Sequence, residues 1–470
     1  MHKEVIVIGG GISGLTAAFR LNVLGVDVLL LEGSGAPGGV IRTEFVNDYL
    51  IERGPNSIQG TAEFLDLVDE LGIQDQLVEG DPKAPAYVYF NGSLHPVPRG
   101  PGALIGTDLL SLSTKLGLLA EPFRQRRQSD EEESVASFFS RRLGAQVAER
   151  LAAPFMSGIY AGDADRLSIQ AAFPALARLE RDHGSLLRGA LHRSGNSDKA
   201  PKSPAGGKRR RRPRSCSFQR GMQFLTQALE SRFGEDIRTN CKVTDISIID
   251  EEPSDKQSEA RFVLNLATLT GPLRLTCHDL IIATPAFEAA RLLAPLSEEL
   301  SELLKAVEYP PLVIVSVAYD NAQLKAPLDG FGFLAVPTEG LNILGGVYNS
   351  SLFPERAPKA KSLVTCFVGG ARNPIAARRG DSEISALVHA DLSRVLGVSG
   401  DPNIVAITRY DRSIPQYNIG HAQRVQRIEA LQQKIPGLTI IGNYLHGVST
   451  GDCIKEAEKT ARALAARVFA

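Results

Sequence analysis

The sequence predicts an α/β protein built on a parallel sheet, into which a second, strand-rich unit and a helical unit are inserted. Three observations carry this expectation. The chain opens on a β-branched run that passes through a glycine-rich turn into a helical pattern. Strands ending in turns of related composition return near residue 280 and near residue 440. Between these returns, one long stretch leans helical and another reads as strands.

The opening strand is Val5-Ile6-Val7-Ile8, apolar throughout, as a strand buried on both faces should be. It feeds Gly9-Gly10-Gly11-Ile12-Ser13-Gly14, a GxGxxG turn, and then Leu15, Ala18 and Leu21 at helical spacing. In such a turn Gly9 permits the tight bend, Gly11 lets backbone approach a pyrophosphate, and Gly14 lets helix and strand pack closely. The free N–H groups and positive end of the helix favour an anion there. A second strand, Val26 to Leu31, ends at Glu32, placed to accept from ribose hydroxyls. Strand, glycines, helix, strand and acid in this order predict a Rossmann-like dinucleotide site.

Length and charge narrow the classes further. At 470 residues the chain is too long for one core and implies two or three domains. Its 52 basic and 53 acidic residues leave a net charge of -1, which argues against a nucleic-acid partner. Cys216, Cys241, Cys277, Cys366 and Cys453 are scattered with no CxxC pair, so no metal is expected. Their odd number, and a strand where a signal peptide would lie, point to a reducing cytoplasm. No apolar run is long enough to span a bilayer.

Later segments complete the first sheet. Leu280-Ile281-Ile282-Ala283-Thr284-Pro285 reads as a strand ending in a turn. Upstream, Ser217 to Gln223 precedes a helix with Phe224, Leu225, Ala228, Leu229 and Phe233 on its apolar positions, and a strand follows over Ile237 to Ile246. Near the end, Leu438 to Asn443 is a strand that stops at a glycine. His446-Gly447-Val448-Ser449-Thr450-Gly451-Asp452-Cys453-Ile454 then opens a last helix, Lys455 to Val468, and this turn is a second candidate anion site. The dinucleotide domain is therefore expected to be discontinuous, over 1–85, 205–290 and 425–470.

A substrate domain is expected over 86–97 and 291–424, with strands at Pro311 to Tyr319, Gly332 to Val336, Ile343 to Tyr348 and Leu363 to Val368. Residues 98–204 form the expected helical domain. Its segment Leu109, Leu110, Leu112, Leu116, Leu118 and Leu119 runs into Arg124-Gln125-Arg126-Arg127, and Val135, Phe138, Phe139, Leu143 and Val147 make a second helical pattern. The leucine-rich face suits either peripheral contact with a membrane or packing within its own domain. The basic run within 195–216 suits a solvated loop between domains, or a patch for anionic lipid or nucleic acid.

Two segments resemble a known superfamily. Gly33-Ser34-Gly35-Ala36-Pro37-Gly38-Gly39-Val40-Ile41-Arg42-Thr43 is similar to the extension of amine oxidase-like flavoproteins, and Glu52-Arg53-Gly54-Pro55-Asn56-Ser57 to the loop beside their flavin ring. The resemblance implies noncovalent FAD, with Gly38, Gly39, Arg42 and Gly54 against the cofactor. It also implies that Val243 offers its backbone to the adenine, and that Gly442, Val448 and Gly451 hold pyrophosphate and flavin.

Nearly end to end, the chain resembles the FAD-dependent porphyrinogen oxidases of haem biosynthesis. Beside the segments above, the resemblance rests on Leu94-His95-Pro96-Val97-Pro98, Ser157 to Pro174, Phe367-Val368-Gly369-Gly370-Ala371-Arg372-Asn373 and Ile414 to His421. The Gly158-Ile159-Tyr160-Ala161-Gly162-Asp163 stretch is among the most family-specific. The resemblance implies removal of six electrons from a porphyrinogen in three hydride transfers to flavin, with dioxygen as acceptor and no catalytic acid–base pair. It implies a pocket in which Phe367 lies along the macrocycle, Leu334 and Val347 clamp one ring, and Gly158 and Gly162 let backbone approach.

Two positions depart from the family pattern. Val347 stands where plant-type relatives have leucine. No arginine stands at or near Ala86, where mitochondrial-type members anchor a propionate, and the nearest base in sequence is Lys83. Protoporphyrinogen IX and coproporphyrinogen III therefore both remain open as substrates, as does the oligomeric state. Two alternatives also stand: another flavoprotein of this superfamily, such as a carotenoid desaturase or amine oxidase, and a flavin-free binding protein of the same fold.

Overall fold

The computed structural model describes residues 1–129, 131–196, 214–249 and 261–469. Most of the basic run within 195–216 lies outside the described residues.

The apolar opening strand behaves as its composition requires. His2–Ile8 lies between two parallel neighbours, Val28–Leu31 on one side and Gly271–Ile282 on the other. Leu438–Ile440 adds in parallel beyond Gly271–Ile282, and Ile237–Arg238 beyond Val28–Leu31. Phe262–Thr268 and Lys242–Ile248 extend the sheet antiparallel. Both faces are covered, which is why Val5 to Ile8 and Val28 to Leu31 are buried without alternation. One face packs on the first helix Ile12–Val23, the helices Ala62–Leu71 and Gln223–Phe233, and the last helix Thr450–Val468.

The other face corrects two expected boundaries. Residues 291–307 were assigned to the substrate side, but Leu292, Leu293, Leu300, Leu304 and Val307 lie in the core of this first sheet. The helix His421–Gln432 joins them through Val425, Ile428 and Leu431, so the return begins at about 421 rather than 425. The reason is amphipathicity: Leu300 and Leu304 are four residues apart and need one apolar surface, which the first sheet supplies.

The second sheet has seven strands in the order Asn403–Tyr410, Leu312–Asp320, Lys361–Gly369, Ile343–Tyr348, Gly332–Ala335, Ala86–Phe90 and Ser93–Pro96. Val313, Val315, Val317, Phe333, Cys366 and Val368 point to one face, under Ile384, Val388 and Leu392 of the helix Asp381–Leu396. The opposite face is covered at its two ends by different parts of the chain. At one end Ala318 and Leu363 meet Tyr49 and Ile51 of the hairpin Thr43–Val46/Tyr49–Glu52. At the other, Val88 meets Leu109, Leu110 and Val147 of the helical region. Between these ends the face carries the residues of the candidate pocket.

A buried carboxylate ties these units together. Glu52 Oε2 accepts from the Thr43 hydroxyl (2.7 Å) and Oε1 from the Met222 N–H (2.9 Å). Arg356 Nη2 lies 3.7 Å away and donates to Ser217 Oγ (2.6 Å) and the Phe218 carbonyl (3.0 Å). Both side chains are almost wholly buried, and desolvation outweighs their attraction: Glu52 is pushed up to about 7 and Arg356 is pulled down. Folded Glu52 thus keeps its proton to higher pH than the unfolded chain, whose carboxyl titrates near 4.5. Its contribution to stability is complete below about pH 4.5 and is lost as pH rises through about 7. Denaturation midpoints measured across that window are expected to fall with pH in the native protein and to fall less in Glu52→Gln. Equal slopes for the two proteins would exclude Glu52 as the titrating group.

Candidate functional site

The glycines of the first turn are not equivalent. Gly9 has φ +108°, and a methyl there would sit 2.9 Å from the Ala283 carbonyl. A methyl at Gly14 would collide with the Gly9 carbonyl oxygen. A methyl at Gly11 would touch nothing within 4 Å, although Gly11 caps the first helix with an ordinary extended backbone. Folding therefore demands glycine at 9 and 14 but not at 11. The space over Gly11 is open, and with the helix N-terminus beside it a phosphate group fits there.

Two further helices begin beside this turn. Cys453, in the first turn of the last helix, lies beside Ser13 at the start of the first helix. Burial pushes that thiol up to about 11, so it brings no negative charge. Ser449 and Asp452 close a capping box at the last helix. Gly451 lies beside Thr61, whose hydroxyl caps the helix Ala62–Leu71 by accepting from the Phe64 N–H (3.3 Å). Helix N-termini each favour an anion, by about 0.3–1 kcal/mol when exposed and more when partly buried.

Glu32 ends the second strand with its carboxylate held by two backbone donors, Gly10 N (2.7 Å) and Ser34 N (2.7 Å). Its remaining lone pairs suit hydroxyl donors. The loop after Glu32 is pinned to the start of the strand that holds Val243, by Asn240 N to Ser34 O (2.8 Å) and Cys241 N to Glu32 O (2.9 Å). Val243 is buried, and its carbonyl accepts from Arg291 Nη2 (3.0 Å), a partner the sequence did not reveal.

Gly38 and Gly39 lie over the phosphate turn: Gly38 N donates to Gly10 O (2.7 Å), and a methyl at Gly39 would be 3.2 Å from Gly11 Cα. Arg42 is exposed and donates to Gly39 O (3.1 Å). Gly54 packs under the Val40 carbonyl, which a side chain there would strike. A line of close backbone contacts thus runs from Gly11 through Gly39 and Val40 to Gly54, toward the second sheet. There Arg53 Nη1 donates to Thr408 Oγ1 (2.9 Å), and the Tyr410 hydroxyl donates to Arg53 O (2.8 Å). From the C-terminal side, Gly442 packs against the Tyr444 ring and Val448 against the helical region. Sequence reasoning missed Tyr417, whose hydroxyl donates to Asn443 O (2.7 Å) and accepts from Gly447 N (2.9 Å). The ring of His421 stacks on it at 4.1 Å. The Ile414 to His421 segment was legible as a motif, but not as the brace of this turn.

The three expected pocket side chains share one face of the second sheet. Leu334 pairs with Gly345, Gly345 with Phe367, and Phe367 with Ile314, which makes one row. The adjoining row pairs Ala86 with Gly332, Gly332 with Val347, Val347 with Thr365, and Thr365 with Ser316. Phe367, Leu334 and Val347 are only half-buried, while their neighbours on the opposite face are fully buried. Gly345, between Leu334 and Phe367, is buried, and a methyl there would strike the Phe333 carbonyl oxygen and lie 3.3 Å from Leu334 Cδ2, so close packing demands glycine. Gly158, on the helix Ala153–Tyr160, faces this row, and a methyl there would be 2.7 Å from Leu334 Cδ2.

Gly162 is explained differently. A methyl there would lie 2.8 Å from both Gln416 Oε1 and Leu167 Cδ1, so the protein's own packing demands glycine. The turn it follows is a hub. Ala161 adopts φ +47° and accepts from Ala371 N (2.8 Å), while Val135 N donates to Leu167 O and Ser168 N to Tyr417 O, both at 2.8 Å. Position 86 also gains a neighbour that spacing did not suggest. Arg99 folds back to donate to Pro82 O (3.0 Å) and Ala84 O (2.5 Å), so it joins Lys83 at that edge of the sheet.

Residues 12–465 match the family model of flavin-containing amine oxidoreductases. The chain belongs to that family. It is 35% identical to the chloroplastic protoporphyrinogen oxidase of Oryza sativa, over 98% of this chain and 88% of that one. It is 30% identical to the coproporphyrinogen III oxidase of Bacillus subtilis, over 97% of this chain and 96% of that one. It also superposes on the crystal structure of a provisionally assigned protoporphyrinogen oxidase from Exiguobacterium, with a TM-score of 0.79, 25% identity and 99% coverage of both chains. The cofactor of this amine oxidoreductase is FAD, and the open space over Gly11 between converging helix N-termini fits its pyrophosphate.

The two glycines give opposite expectations. Gly11→Ala should leave the apoprotein's melting temperature within about 1 °C, since nothing is displaced, but the protein should purify with little flavin. Gly14→Ala should lower the melting temperature by several degrees, because helix and strand must separate. Full flavin occupancy in Gly11→Ala, read from the 450 nm region of the absorption spectrum, would remove the pyrophosphate from that space.

Proposed function

We propose that this amine oxidoreductase oxidises a porphyrinogen to the corresponding porphyrin. The observation that carries the reading is the apolar face of the second sheet, taken as the substrate slot: Phe367, Leu334 and Val347 share it and are half-buried, and the backbone at Gly158 packs close against Leu334 at its edge. A flat, apolar substrate suits such a slot. The names of the relatives support a tetrapyrrole, and they include both protoporphyrinogen and coproporphyrinogen III oxidases.

Gly9, Gly11, Gly14, Glu32, Gly38, Gly39, Arg42, Gly54, Val243, Gly442, Val448 and Gly451 would hold FAD without a covalent bond. When bound, FAD supplies the oxidising chemistry, two electrons at a time over three rounds, with dioxygen as the final acceptor. The chain's own part is to position and to dry. Phe367 offers a ring face for stacking, Leu334 and Val347 limit the slot on one side, and Ile314 and Gly158 close it against water. Arg99 and Lys83 are the cations at the Ala86 edge, where substrate carboxylates would emerge.

We also propose that the helical region rests on a membrane surface. In the helix Leu112–Leu119 the leucines divide: Leu109 and Leu110 just before it are buried, whereas Leu112, Leu116 and Leu119 are 73%, 60% and 71% exposed. Phe123, 82% exposed, continues the stripe, and Arg124, Arg126 and Arg127 follow it. An apolar stripe bordered by cations suits anionic lipid. Among the described residues no helix is long and apolar enough to cross a membrane, so the contact would be peripheral. All five cysteines are free and buried, which suits a reducing cytoplasm.

Mixing the holoprotein anaerobically with protoporphyrinogen IX and, separately, with coproporphyrinogen III should bleach the flavin with at least one of them. If neither does, the reading fails. Phe367→Ala should raise the KM for the active substrate about tenfold, equivalent to the roughly 1.4 kcal/mol of a stacked ring, with flavin still bound. Vesicles containing anionic lipid should float the native protein but not Leu116→Glu/Leu119→Glu. Flotation of both would refute the membrane face.

A further inference from the structure

The slot face turns polar along the Val347 row, which continues through Thr365 and Ser316. A bulge in the strand Ile343–Tyr348 lets Ile343 point to the buried face while Gly345 and Val347 point to the slot. Asn349 follows Tyr348 and opens the short helix Asn349–Leu352. Its Nδ2 donates to Asn56 Oδ1 (2.7 Å), and Asn56 belongs to the loop that follows Gly54. The bond therefore crosses the seam between the slot and the segment beside the flavin site. Asn349 is 3% exposed, yet its Oδ1 has no hydrogen-bond partner among the described residues. Thr365, across from Val347, is 1% exposed, and its Oγ1 also has none among the described residues. Tyr348 pairs with Val364, so Thr365 and Asn349 lie one residue to either side of that last pair. Leaving a buried acceptor unpaired costs about 1–3 kcal/mol, and here two such atoms belong to residues at the same end of one strand pair.

Folding gives no reason for this pair, but the substrate does. Apart from its carboxylates, a porphyrinogen carries four polar groups, the pyrrole N–H groups, and all four are donors. We propose that Asn349 Oδ1 and Thr365 Oγ1 accept pyrrole N–H hydrogen bonds from the bound tetrapyrrole and so fix the rotation of the macrocycle within the slot. The inference rests on the porphyrinogen reading above. The apolar residues Phe367, Leu334 and Val347 set the plane of the ring but are indifferent to its rotation within that plane. Two acceptors at one end of a strand pair are not. The bond to Asn56 holds the Asn349 amide, so the orientation of the substrate is coupled to the loop beside the flavin site.

The test uses the FAD-loaded enzyme and whichever porphyrinogen bleaches the native flavin. If none does, the parent reading fails before the variants are made, which separates that failure from this one. Asn349→Leu should raise KM about tenfold, and Thr365→Val, which keeps the side chain's shape, about threefold to tenfold. Both should retain flavin with the native absorption spectrum. Discrimination between the substrate and its N-methylated analogue, strong in the native enzyme, should shrink in both variants, a change that a purely structural role would not produce. An unchanged KM in Thr365→Val would overturn the proposal even if Asn349→Leu failed to fold. So would loss of flavin from Asn349→Leu with an unchanged KM, since the amide would then serve the cofactor loop alone.

Discussion

The close approach of the first helix to the first strand sets the geometry of the whole molecule. Gly14 lies against the Gly9 carbonyl with no room for a methyl group, and Gly9 lies against Ala283. With the helix this close, its N-terminus opens beside the strand ends. The last helix packs along it and begins at the same place, with Cys453 beside Ser13. The Asn443 to Gly447 turn must then lie where Tyr417 can hold both its ends. Tyr417 in turn belongs to the core of the helical region, with Tyr160 and Leu167. A contact between two backbone segments near the N-terminus thus fixes where a helix from the middle of the chain comes to rest.

A different kind of interaction holds the seam between the two sheets. Glu52 and Arg356, Arg53 and Thr408, and Asn56 and Asn349 all cross it. None of these contributes much net stability. A buried ion pair roughly cancels against its desolvation, and the upward shift of Glu52 shows the balance here falling on the unfavourable side. A neutral hydrogen bond contributes about 1 kcal/mol. Apolar contacts such as Ala318 and Leu363 on Tyr49 and Ile51 supply the cohesion. The polar pairs admit one relative position of the two sheets and penalise others, since any slip leaves buried polar atoms unpaired. The proposed reaction, between a cofactor on one sheet and a substrate on the other, would need that kind of registration.

Sequence alone determined the parallel sheet, the glycine turns at both ends, the acid at Glu32 and the existence of a second sheet. These were legible because their signals are local: an unbroken apolar strand, fixed glycine spacing, helical periodicity. Tertiary structure decided which sheet the helices over 286–305 serve, because an amphipathic stripe specifies that a face is buried and not against what. It decided that Gly162 is required by Gln416 and Leu167, because a glycine needed for packing and one needed for a ligand look alike in sequence. It also decided that Val347 shares a face with Leu334 and Phe367. Strict alternation from Ile343 would bury it, and only the bulge at Leu344, visible in the pairing with Phe367 and Val368, turns it outward. The unpaired oxygens of Asn349 and Thr365 belong to this last class. Whether a polar atom has a partner depends on segments hundreds of residues apart, and no local pattern encodes it.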